Sequence, residues 1–132
     1  MFSQEFRDNY NSIKYKVAIY VRLSREDSKK KIESDSIKNQ KDYCTNYVIN
    51  QGWEIIDYYA DDDYSGTNFD RPDFKRLLED MENHKVNMVV TKDLSRFGRD
   101  HIESGQYVER YFPEKNFVWA LPLWRIGFQA GF

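Results

Sequence analysis

The sequence YKVAIYVRLS, residues Tyr15 to Ser24, decides the fold. Its first seven residues, Tyr15 to Val21, form a nearly continuous apolar run of β-branched and aromatic side chains. Such a run is typical of a strand that is covered on both faces. Arg22, Ser24 and Arg25 follow at once. A buried strand is therefore predicted to end by presenting a hydroxyl between guanidinium groups.

Strands and helices alternate from this point towards the C-terminus. Hydrophobic periodicity distinguishes the two, and capping and turn residues mark the boundaries. The predicted elements are a helix capped by Ser36 and stopped at Gly52, a strand over Trp53–Ala60, a helix from Pro72 with Phe74, Leu77, Leu78 and Met81 inward, a strand over Val86–Lys92, a helix over Asp100–Phe112 with Ile102, Gly105, Val108 and Phe112 inward, and a strand over Phe117–Leu121. Alternation through short loops predicts a three-layer α/β domain, with a mostly parallel sheet in the order 2-1-3-4 and helices on both faces.

Length and composition are those of one globular domain. The chain has 132 residues, of which 40% are hydrophobic and 32% charged, which excludes the disordered and fibrous classes. We expect one domain over residues 1–132, with a flexible N-terminus over 1–14 and an atypical tail over 117–132. The net charge of -2, from 20 basic and 22 acidic residues, excludes a chain that grips nucleic acid by bulk positive charge. Any phosphate site must therefore be local.

Cysteine and histidine usage gives no sign of a metal site or a disulfide. The sequence has one cysteine, Cys44, which fits a reducing cytoplasm. The two histidines, His84 and His101, are isolated from each other and from Cys44 along the sequence. The polar N-terminus lacks the apolar stretch of a secretory signal, and the apolar residues 117–132 are fewer than the roughly 20 that cross a bilayer. We therefore expect a cytoplasmic protein without a membrane span.

Basic side chains follow two strands that the predicted order makes neighbours. Arg22 and Ser24 follow the first strand, and Lys92, Arg96 and Arg99 follow the third. Ligands of open parallel sheets bind beyond the carboxyl ends of the strands, where the strand order reverses. The two loops are expected to meet there and to form a phosphate site that contains a nucleophile. Arg96 and Arg99, three residues apart at the start of a helix, are expected to address one phosphate together.

Attack of a hydroxyl on a phosphodiester needs positive charge at the phosphate oxygens, a proton acceptor and a proton donor. Without clustered histidines or a metal site, the arginines must supply the charge. The residues name no clear proton acceptor. Asp61, Asp62 and Asp63 end the second strand next to the first, and one of them is expected to orient an arginine or Ser24. A phosphoacceptor receiver domain is a third possibility that fits poorly, because a receiver needs its acidic cluster after the first strand and an aspartate after the third.

Five short motifs carry a resemblance to a known family. YVRLS, SIKNQ, DDDYSG, DRPDF and LSRFGRD occur in this order between Lys16 and Asn116. Their order and spacing resemble the start of the serine recombinases, the resolvase and invertase superfamily, and particularly its large transposon-type members. Each motif alone is weak, whereas the set is highly specific.

This resemblance implies a site-specific DNA recombinase catalytic domain. Ser24 would be the nucleophile and would form a 5′-phosphoserine link to cleaved double-stranded DNA, with neither a metal nor a nucleotide cofactor. The residues that the resemblance places around the scissile phosphate are Arg22, Arg71, Arg96, Arg99 and Gln40. The acidic position of the family falls on Asp61 or Asp62, of which we favour Asp62. The expected full-length protein is a homo-oligomer, a dimer that becomes a tetramer in synapsis.

Two features depart from the family pattern. Ser95 stands where many resolvases have an aspartate. Family members also continue beyond the fourth strand into further core structure and a long helix, whereas this chain ends in WALPLWRIGFQAGF. We therefore expect a C-terminally truncated catalytic domain that self-associates through its aromatic tail. The alternative is a non-catalytic remnant that acts as an oligomerisation module.

Overall fold

The computed structural model describes residues 14–23, 36–62, 70–98 and 100–122, and the backbone of residues 129–130. The strands are β1 (Lys16–Leu23), β2 (Glu54–Asp62), β3 (Met88–Val90), β4 (Val118–Ala120) and β5 (Gln129–Ala130). The helices are α1 (Ile37–Gln51), α2 (Pro72–Glu82), α3 (His101–Gln106) and α4 (Phe112–Glu114), with a π-helical segment (Tyr107–Tyr111) between the last two and a short 3-10 turn at Leu94–Arg96.

The sheet has the order β2-β1-β3-β4-β5. The first four strands pair in parallel, which confirms the predicted order 2-1-3-4. β5 pairs antiparallel with β4 and was not predicted. A two-residue strand carries no readable alternation, so sequence periodicity could not have indicated it.

Side-chain alternation along β1 divides the core into two layers. Ala18 and Tyr20 belong to the cluster that includes α2 and the helices after residue 100, whereas Val17, Ile19 and Val21 belong to the cluster that includes α1. All five side chains are fully buried. Burial of a large apolar side chain stabilises the fold by about 1.5–3 kcal/mol, so β1 anchors both layers.

Local capping sets the bounds of α1 and the start of α2. The Ser36 hydroxyl accepts a hydrogen bond from the Asn39 N–H at 3.1 Å, and Gly52 ends α1 with a left-handed φ of 78° that suits a residue without a Cβ. Pro72 occupies the first turn of α2, where its missing N–H costs nothing. These boundaries confirm the sequence prediction.

The helix predicted over Asp100–Phe112 is only partly correct. Asp100 is its N-cap, and its side chain accepts from the Glu103 N–H. Ile102 was expected to face inward and is 72% exposed. Ser104 is buried instead, and a residue two positions from it lies on the opposite side of a helix. The π-helical segment then changes the phase again, so a single helical period does not fit both ends.

None of the helices within the described residues has both the length and the apolar composition needed to span a bilayer.

Candidate active site

Four of the predicted site residues lie together at the carboxyl ends of β1 and β3. They are Arg22, Gln40, Arg71 and Arg96, and each is at most 7% exposed. Ser24, Arg25, Asp63 and Arg99 lie outside the described residues. The structure therefore brings three arginines and one glutamine to the predicted switch point of the sheet.

The Gln40 side chain fixes the end of β1 against α1. Its Oε1 accepts from the Arg22 backbone N–H at 3.1 Å, and its Nε2 donates to the Arg22 carbonyl at 2.9 Å. The amide thus pairs with the main chain of Arg22 as a neighbouring strand would. Gln40 is fully buried, so both of these hydrogen bonds are shielded from water.

The Arg22 guanidinium reaches the segment after β3. Its Nη2 donates to the Ser95 and Gly98 carbonyls at 2.7 and 3.2 Å, and its Nε donates to the Arg96 carbonyl at 3.3 Å. Arg96 returns the contact, because its Nη1 donates to the Arg22 carbonyl at 2.9 Å. The two distant loops meet through these side chains, as the predicted topology requires.

Arg71 is held in an unusual backbone conformation at the N-terminus of α2. It is a non-glycine residue with a left-handed φ of 48°, a conformation that costs of order 1 kcal/mol or more. Its guanidinium lies 3.9 Å from the centroid of the Phe74 ring. Nη1 donates to the Phe97 carbonyl at 2.5 Å, and Nη2 forms an ion pair with Glu103 at 3.2 Å.

Arg96 is not at the start of a helix, contrary to the sequence prediction. It ends a separate 3-10 turn, which Asp93 caps by accepting from the Ser95 N–H, and α3 begins only at His101. Between the two elements the chain packs tightly on α3, because a Cβ at Gly98 would lie 2.4 Å from the Ser104 backbone nitrogen. Only glycine permits this close approach of the turn to α3.

Asp61 and Asp62 have different surroundings, although they are neighbours. Asp61 is buried and accepts three hydrogen bonds, from the Tyr20 hydroxyl at 2.8 Å and from the N–H groups of Asp73 and Phe74 at 2.9 Å each. The Asp61 side chain, on β2, therefore caps the N-terminus of α2. Burial and the Asp61 charge raise the pKa of the Tyr20 hydroxyl well above its ordinary value. Asp62 is exposed at the end of β2, opposite Leu23 of β1.

Carboxylates balance the guanidinium charge in the described part of the site. Asp93 lies 3.4 Å from the Arg96 Nη2, Glu103 pairs with Arg71, and Asp61 caps the helix that Arg71 precedes. The sequence prediction anticipated the arginines and missed Asp93, Glu103 and Gly98. Asp100 and Glu103 do form the D-x-x-E pattern of a capping box, which was the available signal for Glu103. Among the described residues, no histidine, cysteine, aspartate and glutamate side chains form a group suited to a metal ion.

The chain is an α/β domain in which three buried arginines gather at the switch point of a parallel sheet. Residues 17–116 match the family model described as "Resolvase, N terminal domain". The chain therefore belongs to the resolvase family, whose members include the serine recombinase catalytic domains, and the resemblance drawn from its motifs is confirmed.

Similar proteins come from phages and bacteria. "Uncharacterized immunity region protein 3" of Bacillus phage phi105 is 38% identical over 66 residues, which are 50% of this chain and 78% of that protein. "Putative DNA recombinase" of Bacillus subtilis (strain 168) is 34% identical over 83 residues, 63% of this chain but only 16% of the relative's length. The solved N-terminal catalytic domain of TP901-1 integrase superposes with a TM-score of 0.68 at 29% identity, covering 86% of this chain and 80% of that one.

Proposed function

We propose that this chain is the catalytic domain of a site-specific DNA recombinase that cleaves and rejoins double-stranded DNA by serine transesterification. The observation that carries the proposal is the reciprocal contact between Arg22 and Arg96, which ties the end of β1 to the turn after β3. Ser24 is two residues beyond Arg22, so their Cα atoms are at most about 7 Å apart. A nucleophile at that position is next to the arginine cluster.

Each strand cleavage forms one bond and breaks one. The Ser24 Oγ bonds to phosphorus while the bond between phosphorus and the 3′ oxygen breaks, which yields a 5′-phosphoserine link and a 3′-hydroxyl. The Ser24 proton passes to a base, and the leaving oxygen takes up a proton. Attack of a 3′-hydroxyl on the phosphoserine reverses these steps and rejoins the strand. The bond energy is conserved in the phosphoserine, so the exchange needs no nucleotide cofactor.

We assign the proton acceptor to Asp62. The Asp61 carboxylate already accepts from Tyr20 and from two N–H groups of α2, so it serves the fold. Asp62 lies at the end of β2 beside Leu23, the residue before Ser24. A general base must come within hydrogen-bond reach of the proton that it accepts, and this position next to β1 supports the assignment.

Positive charge at the phosphate comes from the guanidinium cluster of Arg22, Arg71, Arg96 and Arg99. Such charge stabilises the negative charge on the phosphate oxygens of the transition state. Loss of one well-placed donor typically costs about 3 kcal/mol in the barrier. The partners expected for this function are double-stranded DNA and further copies of the chain. The chain would form a dimer that becomes a tetramer in synapsis, and it would act in the cytoplasm.

The test is the covalent intermediate. The chain is incubated with duplexes taken from DNA that flanks its own coding region, and the products are separated under denaturing conditions. We expect a protein–DNA adduct that Ser24→Ala abolishes and that Ser95→Ala retains, because Ser95 is a second serine that precedes an arginine in the sequence. An adduct that persists unchanged in Ser24→Ala would refute the assignment.

The second candidate is a non-catalytic module that associates with intact recombinase subunits. The charge balance of the described arginine cluster favours it, because Asp93 and Glu103 occupy donors that a phosphate would need. Under this hypothesis the chain forms stable oligomers in gel filtration and produces no adduct with any duplex. Adduct formation by the chain alone excludes it.

A further inference from the structure

The guanidinium groups of Arg71 and Arg96 divide their donors in the same way. In each of them, Nη1 donates to main-chain carbonyl groups. In each of them, Nη2 faces a carboxylate. Glu103 Oε1 lies 3.2 Å from the Arg71 Nη2, and Asp93 Oδ2 lies 3.4 Å from the Arg96 Nη2. One side of each guanidinium therefore holds the main chain, and the other side is paired with an acidic side chain.

The two kinds of partner differ in exposure. The side chains of Arg71 and Arg96 are 6% and 4% exposed, whereas those of Glu103 and Asp93 are 35% and 39% exposed. An ion pair with a partly exposed partner contributes little to stability. The hydrogen bonds to the carbonyl groups are buried and are costly to leave unmade. The carboxylates are therefore the partners that an anion from solvent can replace.

A phosphate group fits the donors that these carboxylates occupy. Guanidinium groups bind carboxylates and phosphates in the same planar geometry, so a phosphate oxygen can replace a carboxylate oxygen without movement of the arginine. A carboxylate that stays beside a bound phosphate repels it. Phosphate binding therefore requires Glu103 and Asp93 to turn away from the arginines, towards the solvent to which both are already partly exposed.

We propose that Asp93 and Glu103 are exchangeable counterions, which pair with the Nη2 groups of Arg96 and Arg71 in the free protein and release them to a phosphate of the DNA backbone. This proposal rests on the proposed recombinase function for the identity of the phosphate, and it assigns the Nη2 groups as the donors that contact it. Each carboxylate competes with the incoming phosphate for one donor. The two carboxylates thereby weaken the binding of any phosphate that is not held by further contacts.

The first experiment uses inorganic phosphate and the chain without DNA. The double variant Asp93→Asn with Glu103→Gln removes both charges and keeps the shape of the side chains. The amide oxygen at position 93 can still accept from the Ser95 N–H, as Asp93 does. Phosphate is added at constant ionic strength, and binding is followed by the NMR shifts of the backbone amides. We expect the double variant to bind phosphate about tenfold more tightly than the parent chain, and Glu103→Gln alone about threefold.

A charge-matched control separates the local effect from the overall charge. Glu54→Gln with Glu82→Gln removes the same two charges at exposed positions. Glu54 begins β2, at the end of the strand opposite the site, and Glu82 ends α2, the helix that Arg71 precedes. We expect this control to bind phosphate within about twofold of the parent chain, because salt screens distant charges. An equal gain in the control, or no gain in the double variant, would overturn the proposal.

The second experiment uses duplex DNA of unrelated sequence at one fixed salt concentration. We expect the double variant to bind such a duplex about tenfold more tightly than the parent chain. An unchanged duplex affinity, together with tighter phosphate binding, would overturn the assignment of the two carboxylates to DNA. If neither protein binds any duplex, the proposed recombinase function fails, and the phosphate titration alone decides whether the carboxylates are exchangeable.

Discussion

Replacement of Gln40 by alanine should destabilise the protein by about 2–4 kcal/mol. The Gln40 Oε1 is the acceptor for the buried Arg22 N–H, and an orphaned buried donor costs about 1–3 kcal/mol. The lost side-chain methylene and its contacts add about 1 kcal/mol. The Arg22 carbonyl keeps its second donor, Arg96, so no further penalty is added there. For a chain of this size the melting temperature should fall by roughly 6–12 °C.

Urea denaturation followed by circular dichroism measures this loss, and two further variants divide it. Gln40→Met keeps a side chain of similar length without the amide, so it should show the hydrogen-bond cost of about 1–3 kcal/mol and little packing loss. Gln51→Ala, at the exposed end of α1, should change the stability by less than about 0.5 kcal/mol. A two-state transition in which Gln40→Ala loses under about 1 kcal/mol would refute the pairing as a stabilising contact.

Three further predictions concern a turn, a thiol and a carboxylate. Gly98→Ala forces a Cβ to 2.4 Å from the Ser104 backbone nitrogen and should lower the free energy of unfolding, measured by urea denaturation, by about 1–3 kcal/mol. Gly105→Ala has no atom within 4 Å of the new Cβ and should not destabilise the protein. Equal losses in the two variants would contradict the steric argument. Burial raises the pKa of Cys44 to about 12, so iodoacetamide at pH 8 should label it at least ~100-fold more slowly in the native than in the urea-unfolded chain, and equal rates would contradict its burial. Burial alone would raise the pKa of Asp57, but hydrogen bonds from a guanidinium and a backbone N–H lower it. The stabilising effect of the Asp57 carboxylate is therefore complete at about pH 6 and is lost as the pH falls below about 4. Asp57→Asn should flatten the decline in melting temperature at acid pH, and an unchanged decline would contradict this prediction.

Features that depend on local chemistry could be predicted from the sequence. Ser36 and Gly52 fix the ends of α1 through hydrogen bonds and a φ value that involve only neighbouring residues. β-α alternation predicted parallel pairing with right-handed crossovers, and 2-1-3-4 is a common order of such sheets. The rule that ligands bind where the strand order reverses then placed Arg22 and Arg96 at one switch point, although they are 74 residues apart.

Features that depend on tertiary contacts could not be predicted from the sequence. Ile102 is exposed and Ser104 is buried, whereas hydrophobicity alone favoured the opposite face of the helix. The sequence also predicted an excess of positive charge at the site. It indicates that arginines lie there, but it does not show which acceptors their N–H groups bind. Every residue has a backbone carbonyl, so the sequence does not indicate that the Arg71 guanidinium donates to the carbonyl of Phe97.

The position of the site follows from a mismatch in strand length. β3 pairs with β1 only as far as Ile19 opposite Val90, whereas β1 continues to Leu23 along β2. On the β3 side, the main-chain groups at the end of β1 therefore need other partners. The Thr91 hydroxyl donates to the Tyr20 carbonyl at 2.8 Å. The side chains of Gln40 and Arg96 form hydrogen bonds with the main chain of Arg22. A sheet that splits at this point needs polar side chains to satisfy its main chain, and this is where the buried side chains of Arg22, Gln40 and Arg96 gather.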